Sequence, residues 1–122
     1  MLTGVGSMKK TDQYNITYHE TGELIEINGS LKLTSMDHYN ELVDFLIDHT
    51  EKSTNGITLD LTGLEMLNSS GIASLSLFII RAKESGKNIR ILANRDIHWQ
   101  AISIDDFIDI NSNVSVEYIT HH

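Results

Sequence analysis

Two adjacent hydroxyls, Ser69 and Ser70, stand at the end of Leu59-Asp-Leu-Thr-Gly-Leu-Glu-Met-Leu-Asn-Ser-Ser-Gly-Ile72, where a loop runs into an amphipathic segment. The first turn of a helix leaves backbone N–H groups without intrahelical partners and carries the positive end of the helix dipole. A serine placed there does one of two things. It caps the helix with its oxygen, or it accepts a phosphate, whose charge the same N–H groups stabilise. The local residues leave both readings open. Other chemistry is thinly represented. Glu65 lies in the same loop, but no second acid and no nucleophile–base pair accompanies it. The six histidines are scattered without ligand spacing, and cysteine is absent, so neither a metal nor another cofactor is expected. No P-loop glycine pattern occurs, and Gly63 and Gly71 read as turn glycines.

Composition narrows the function classes. The 122-residue chain carries a net charge of −8, which disfavours binding to a nucleic-acid backbone or an anionic membrane surface. A protein partner with a basic patch suits this charge, and so does simple solubility. No segment is long and apolar enough to span a membrane. Residues 1–8 lack the basic start and apolar run of a signal peptide and read as a tag remnant or a disordered end, with Met8 as a natural start. His121-His122 reads as residual tag. The expected location is the cytoplasm. One domain, residues 1–122, is expected from length and from the absence of linkers.

The elements that must position the serines follow from periodicity. Tyr14, Ile16 and Tyr18, then Ile25 and Ile27, alternate with polar residues around Thr21-Gly22, a hairpin signal. Thr34 and Ser35 are candidate caps for a helix through about His49, with Met36, Tyr39, Val43, Leu46 and Ile47 on one face. After the turn Asn55-Gly56, Ile57, Leu59 and Leu61 form a strand dense enough in apolar residues to be central. A second helix is expected from about Ser70 to Ser85, with Ile72, Leu75, Ile79 and Ala82 inward, Ser74, Ser76 and Phe78 outward, and Gly86 as its stop. Ile89–Ala93 is the next strand. Ile97, Ala101, Ile104 and Ile108 mark a third helix, and Val114, Val116 and Tyr118 a last strand. The order ββαβαβαβ implies a mixed α/β sheet with parallel central strands flanked by helices. Loop 62–70 and the loop Asn94-Arg95-Asp96 then leave the same carboxyl edge, which makes Arg95 a candidate neighbour of Ser69.

With that order in hand, "LDLTGLEMLNSSGIASLSLFIIRAKESGKNIRILAN" resembles the STAS domain, the fold of bacterial anti-sigma factor antagonists. The family pattern is an apolar strand, a short loop, an Asp-Ser-Ser/Thr-Gly core, an amphipathic helix and a glycine before the next strand. It falls on Ile57–Leu61, Thr62–Leu67, Asn68–Gly71, Ile72–Ser85 and Gly86. The resemblance implies a partner switch. A serine kinase that is also an anti-sigma factor phosphorylates the serine at position 69, with Ser70 second, and a metal-dependent Ser/Thr phosphatase removes the mark. The family's Asp is Asn68 here. "NRDIHWQAIS" resembles a STAS-like regulator subset whose third helix begins near a Trp-Gln pair, where the partner can be an enzyme controlling a second messenger.

The expectation is thus a non-enzymatic bacterial signalling regulator. Ser69 and Ser70 are the phosphorylation candidates, Asn68 and Gly71 shape the loop, and Thr62, Gly63, Glu65, Ser74 and Arg95 contribute to partner binding. A constitutive binding module that is never modified is the alternative. Self-association as a weak homodimer stays open.

Overall fold

The structure, a computed structural model, describes residues 5–10 (backbone only), 13–33 and 35–119. Among the described residues seven strands and three helices follow one another as β1 (Val5–Lys10), β2 (Tyr14–His19), β3 (Leu24–Leu31), α1 (Met36–Lys52), β4 (Gly56–Asp60), β5 (Leu64–Leu67), α2 (Ser69–Ala82), β6 (Asn88–Ala93), α3 (His98–Ile110) and β7 (Val114–Tyr118). The sheet runs β1-β2-β3-β4-β6-β7, and β5 pairs with β3 beyond the end of β4. β1, β2 and β3 are antiparallel, and every pairing from β3 onward is parallel. The mixed sheet with a parallel centre, implied by the element order, is the one formed. β4 takes the central place that its apolar density required.

Burial alternates along the strands, as a sheet with one packed face demands. Ile25 and Ile27, Ile57 and Leu59, and Ile89, Ile91 and Ala93 join one core with α1 and α2. Thr58, Asp60, Asn88 and Arg90 point to the other side. Leu42, Val43, Leu46 and Ile47 bury the core face of α1, and Leu75, Phe78, Ile79 and Ala82 that of α2. The helix α2 passes into a 3-10 turn at Lys83–Ser85. It stops at Gly86, whose φ of 70° is the left-handed conformation expected of a C-terminal glycine.

Several sequence expectations are corrected. β5 lies inside what reads as loop 62–70, because four residues suffice to pair with the far end of β3. Residues 5–10 add a strand to the edge of the sheet. Ser35 caps α1, its side chain accepting from the Asp37 N–H at 3.2 Å, whereas Thr34 lies outside the described residues, as do residues 1–4 and His121-His122. The helix continues to Lys52, and Met36 at its first turn is exposed. Phe78, placed outward by the sequence, is fully buried. In α3 the buried positions are Trp99, Gln100, Ile104 and Phe107, while Ala101 and Ile108 face solvent. Trp99 and Phe107 thus share the buried face of α3 with Ile104, and each removes a large apolar area from water.

Candidate functional site

Asn68, at the end of β5, decides the geometry of the serines. Its backbone is extended (φ −81°, ψ 173°), and its Oδ1 accepts the Gly71 N–H at 2.9 Å, so it is the cap of α2. Ser69 and Ser70 are then the first two helical residues. Both are exposed, and among the described residues neither hydroxyl makes a hydrogen bond. The capping alternative for the serines is thereby removed. The first turn of α2 also contains no acidic residue, so the positive end of its dipole is uncompensated.

Gly71 is needed for space, not for a turn. A Cβ there would lie 2.3 Å from Leu67 Cδ1 and 2.8 Å from Leu67 Cγ, inside contact distance. Gly63 is likewise a close approach, since a Cβ would lie 2.1 Å from Asn28 Oδ1. Neither has the positive φ of a turn glycine.

Three connections fix the approach to α2. Asp60 Oδ1 accepts from the Thr62 N–H at 2.9 Å and from Thr62 Oγ1 at 2.7 Å, a local turn that ends β4. Gly63 C=O accepts from the Gly29 N–H at 2.9 Å. The third comes from α3: buried Gln100 donates to the C=O groups of Leu61 (2.6 Å) and Leu64 (3.1 Å), and its Oε1 accepts from the Asn94 N–H at 2.8 Å. Trp99 Nε1–H donates to Leu64 C=O at 2.8 Å. The Trp-Gln pair is therefore a clamp on loop 61–64, and Trp99 is a packing anchor.

Asn68 has a second role. Buried Tyr39 of α1 donates its O–H to Asn68 Oδ1 and accepts from the Leu33 N–H at 3.0 Å, and Asn68 Nδ2 donates to Leu33 C=O at 3.4 Å. Beside this cluster α1 and α2 enclose a groove of about 170 Å³ lined by Met36, Asn40, Ser70, Ala73, Ser74 and Leu77. Met36 is 64% exposed, Leu77 42% and Ile80 52%. Ala73, Leu77 and Ile80, at helical spacing, form an outward apolar stripe along α2.

Of the residues singled out by sequence, Asn68, Ser69, Ser70, Gly71 and Ser74 meet at the start of α2. Ser74 is buried, its Oγ donating to Ser70 C=O at 2.8 Å, and it lines the groove. Thr62 and Gly63 hold the approach, and Glu65 is exposed on β5. Arg95 goes elsewhere: its guanidinium lies 3.8 Å from the centroid of the Tyr118 ring. Burial, and then the hydrogen bond to Asp105 at 2.6 Å, push the Tyr118 phenol up to about 12, against a smaller lowering by Arg95. The sequence reading did not single out Asn40, Leu77 or Ile80, and it named Tyr39 and Gln100 without assigning either to the site. The i, i+4, i+7 spacing of Ala73, Leu77 and Ile80 was a legible signal, whereas nothing local signals that Tyr39 or Gln100 reaches its distant partner.

Among the described residues no group of three His, Asp or Glu is arranged to hold a metal, and no helix is long and apolar enough to cross a membrane. No protein family and no curated protein matches the sequence. Solved structures do match. SiaC of Pseudomonas aeruginosa superposes with a TM-score of 0.68 at 14% identity, over 96% of this chain and 98% of that one. A chain in the crystal structure of the diguanylate cyclase SiaD in complex with its activator SiaC, from the same organism, gives 0.71 at 16% identity, over 95% and 99%. Apo-SiaC gives 0.65 at 15%, over 97% and 98%. At these identities the likeness establishes a shared fold along nearly the whole of both chains.

Proposed function

We propose that this chain is a non-enzymatic bacterial signalling regulator that acts by binding a protein partner, and that reversible phosphorylation of Ser69 controls the binding. The observation that carries the reading is the position of Ser69. It is an exposed hydroxyl at an uncompensated helix N-terminus, and the next residue, Ser70, lines an apolar groove. A phosphate there adds a charge of about −1.5 to −2. Free helix N–H groups stabilise it while the surface is open to water. A partner seated on Met36, Ala73 and Leu77 would have to desolvate that charge, so phosphorylation releases the partner.

The shared fold supports the class of partner. SiaC stands in complex with an enzyme as its activator, and by analogy the partner favoured here is an enzyme controlling a second messenger rather than an anti-sigma factor. A serine kinase and a metal-dependent Ser/Thr phosphatase, acting in the cytoplasm, complete the proposed switch. The rival is a constitutive module using the same surface. It is favoured by Asn68, which replaces the carboxylate of the family pattern.

Isothermal titration with the partner encoded by the neighbouring genes separates the two. A switch requires Ser69→Asp to weaken binding and Ser69→Ala to preserve it, whereas equal binding by both variants establishes the constitutive module. Leu77→Asp should weaken binding at least about tenfold in either case, as the loss of an apolar anchor. Intact-protein mass spectrometry after co-expression with the native kinase should show one added phosphate on the wild type and none on Ser69→Ala.

A further inference from the structure

We infer that Tyr39 is a positioning residue for the phosphate acceptor, acting through Asn68 on the first turn of α2; the inference rests on the reading of Ser69 as that acceptor. Packing alone does not explain the phenol. Tyr39 is 2% exposed on the core face of α1, where phenylalanine would fill the same space without a polar atom to satisfy. Its hydroxyl instead takes both available roles, accepting from the Leu33 N–H and donating to Asn68 Oδ1. Asn68 Oδ1 accepts a second bond from the Gly71 N–H, and Nδ2 donates to Leu33 C=O. Both backbone groups of Leu33 are thus tied, directly or through Tyr39, to the cap of α2.

This set of bonds needs an amide. A carboxylate at position 68 would keep the two acceptor bonds but turn an oxygen toward Leu33 C=O, with no proton to share. The clamp therefore gives a structural reason for asparagine where the family pattern has aspartate. It leaves Ser69 beside a neutral group, so no charge at the cap opposes an anionic phosphoryl donor.

The test installs phosphoserine at position 69 during translation and follows its second ionisation by ³¹P NMR, together with amide hydrogen exchange at Gly71. With the cap held, the first-turn N–H groups favour the dianion, and the phosphate titrates below the usual value of about 6. Tyr39→Phe should move that titration upward and speed Gly71 exchange about fivefold, the effect of one ordinary hydrogen bond. In an Asn68→Ala background Tyr39→Phe should change neither. If Tyr39→Phe lowers the melting temperature but leaves both readouts unchanged, or if its effects simply add to those of Asn68→Ala, Tyr39 is only a core residue and the inference is overturned. Should Tyr39→Phe not fold, Asn68→Ala serves instead: the Tyr39 hydroxyl then loses its acceptor, so faster exchange at the Leu33 amide supports the clamp, and unchanged exchange overturns it. Because the phosphate is installed directly, these outcomes are independent of whether the native kinase modifies Ser69, which the mass measurement decides.

Discussion

Replacing Gln100 with leucine should destabilise the domain by about 2–3 kcal/mol, and the structure shows where that loss arises. Three hydrogen bonds go with the amide, but they are not equal. Leu64 C=O keeps the Trp99 indole N–H at 2.8 Å, and Leu61 C=O keeps the Leu64 N–H at 3.0 Å. The Asn94 N–H has only Gln100 Oε1 among the described residues. One orphaned donor costs about 2 kcal/mol, and the two weakened acceptors add about 0.5–1 kcal/mol each. The leucine side chain, of similar volume and fully buried, returns about 1 kcal/mol. For 122 residues, an unfolding entropy of about 2.1 cal/mol/K per residue turns the net loss into a fall in Tm of about 10 °C. Urea unfolding and calorimetry measure both quantities, and amide exchange at Asn94 should accelerate together with that of loop 61–64. A loss below about 1 kcal/mol, with Asn94 exchange unchanged, would refute the assignment of Gln100 as the clamp on the approach to α2.

Gly71→Ala sets two effects against each other. Alanine gains up to about 1 kcal/mol in a helix interior, but its Cβ must displace Leu67, at about 1–3 kcal/mol for overpacking. The net expectation is a loss of about 1 kcal/mol with a disturbed Asn68 cap, and a stabilised variant in denaturant titration would contradict it. His49 predicts a pH dependence. Burial against Tyr18 and Phe45 lowers its pKa, and Asp48 partly opposes this. The unfolded chain therefore binds the proton first. Stability should fall as pH drops through about 6.5 toward the lower folded value, and be unaffected by this group above it. His49→Phe should flatten that part of the stability–pH curve. An unchanged slope would show that His49 does not cause it.

The elements were legible wherever burial follows a simple period. Ile57 and Leu59 declared a central strand, and Val43, Leu46 and Ile47 a core face, because the same residues had to be buried in any packing of those segments. β5 was not legible. Four residues with two exposed carry no period, and their strand exists only because β3 offers an edge beyond β4. Phe78 and Met36 were misplaced for a related reason. Their position relative to the stripe allowed either environment, and only the neighbouring helix decided which was filled.

At the site, the sequence by itself determined that a helix begins at Asn68-Ser69-Ser70-Gly71 after a loop, since capping and periodicity are local properties of the chain. Only the tertiary structure decided that Asn68 takes the cap, that both serine hydroxyls stay exposed, and that Tyr39, 29 residues earlier, holds the amide in place. It also sent Arg95 to Tyr118 and brought Gln100 to Leu61. A hydrogen bond between distant residues depends on the register and packing of whole elements, and no window of sequence contains that information.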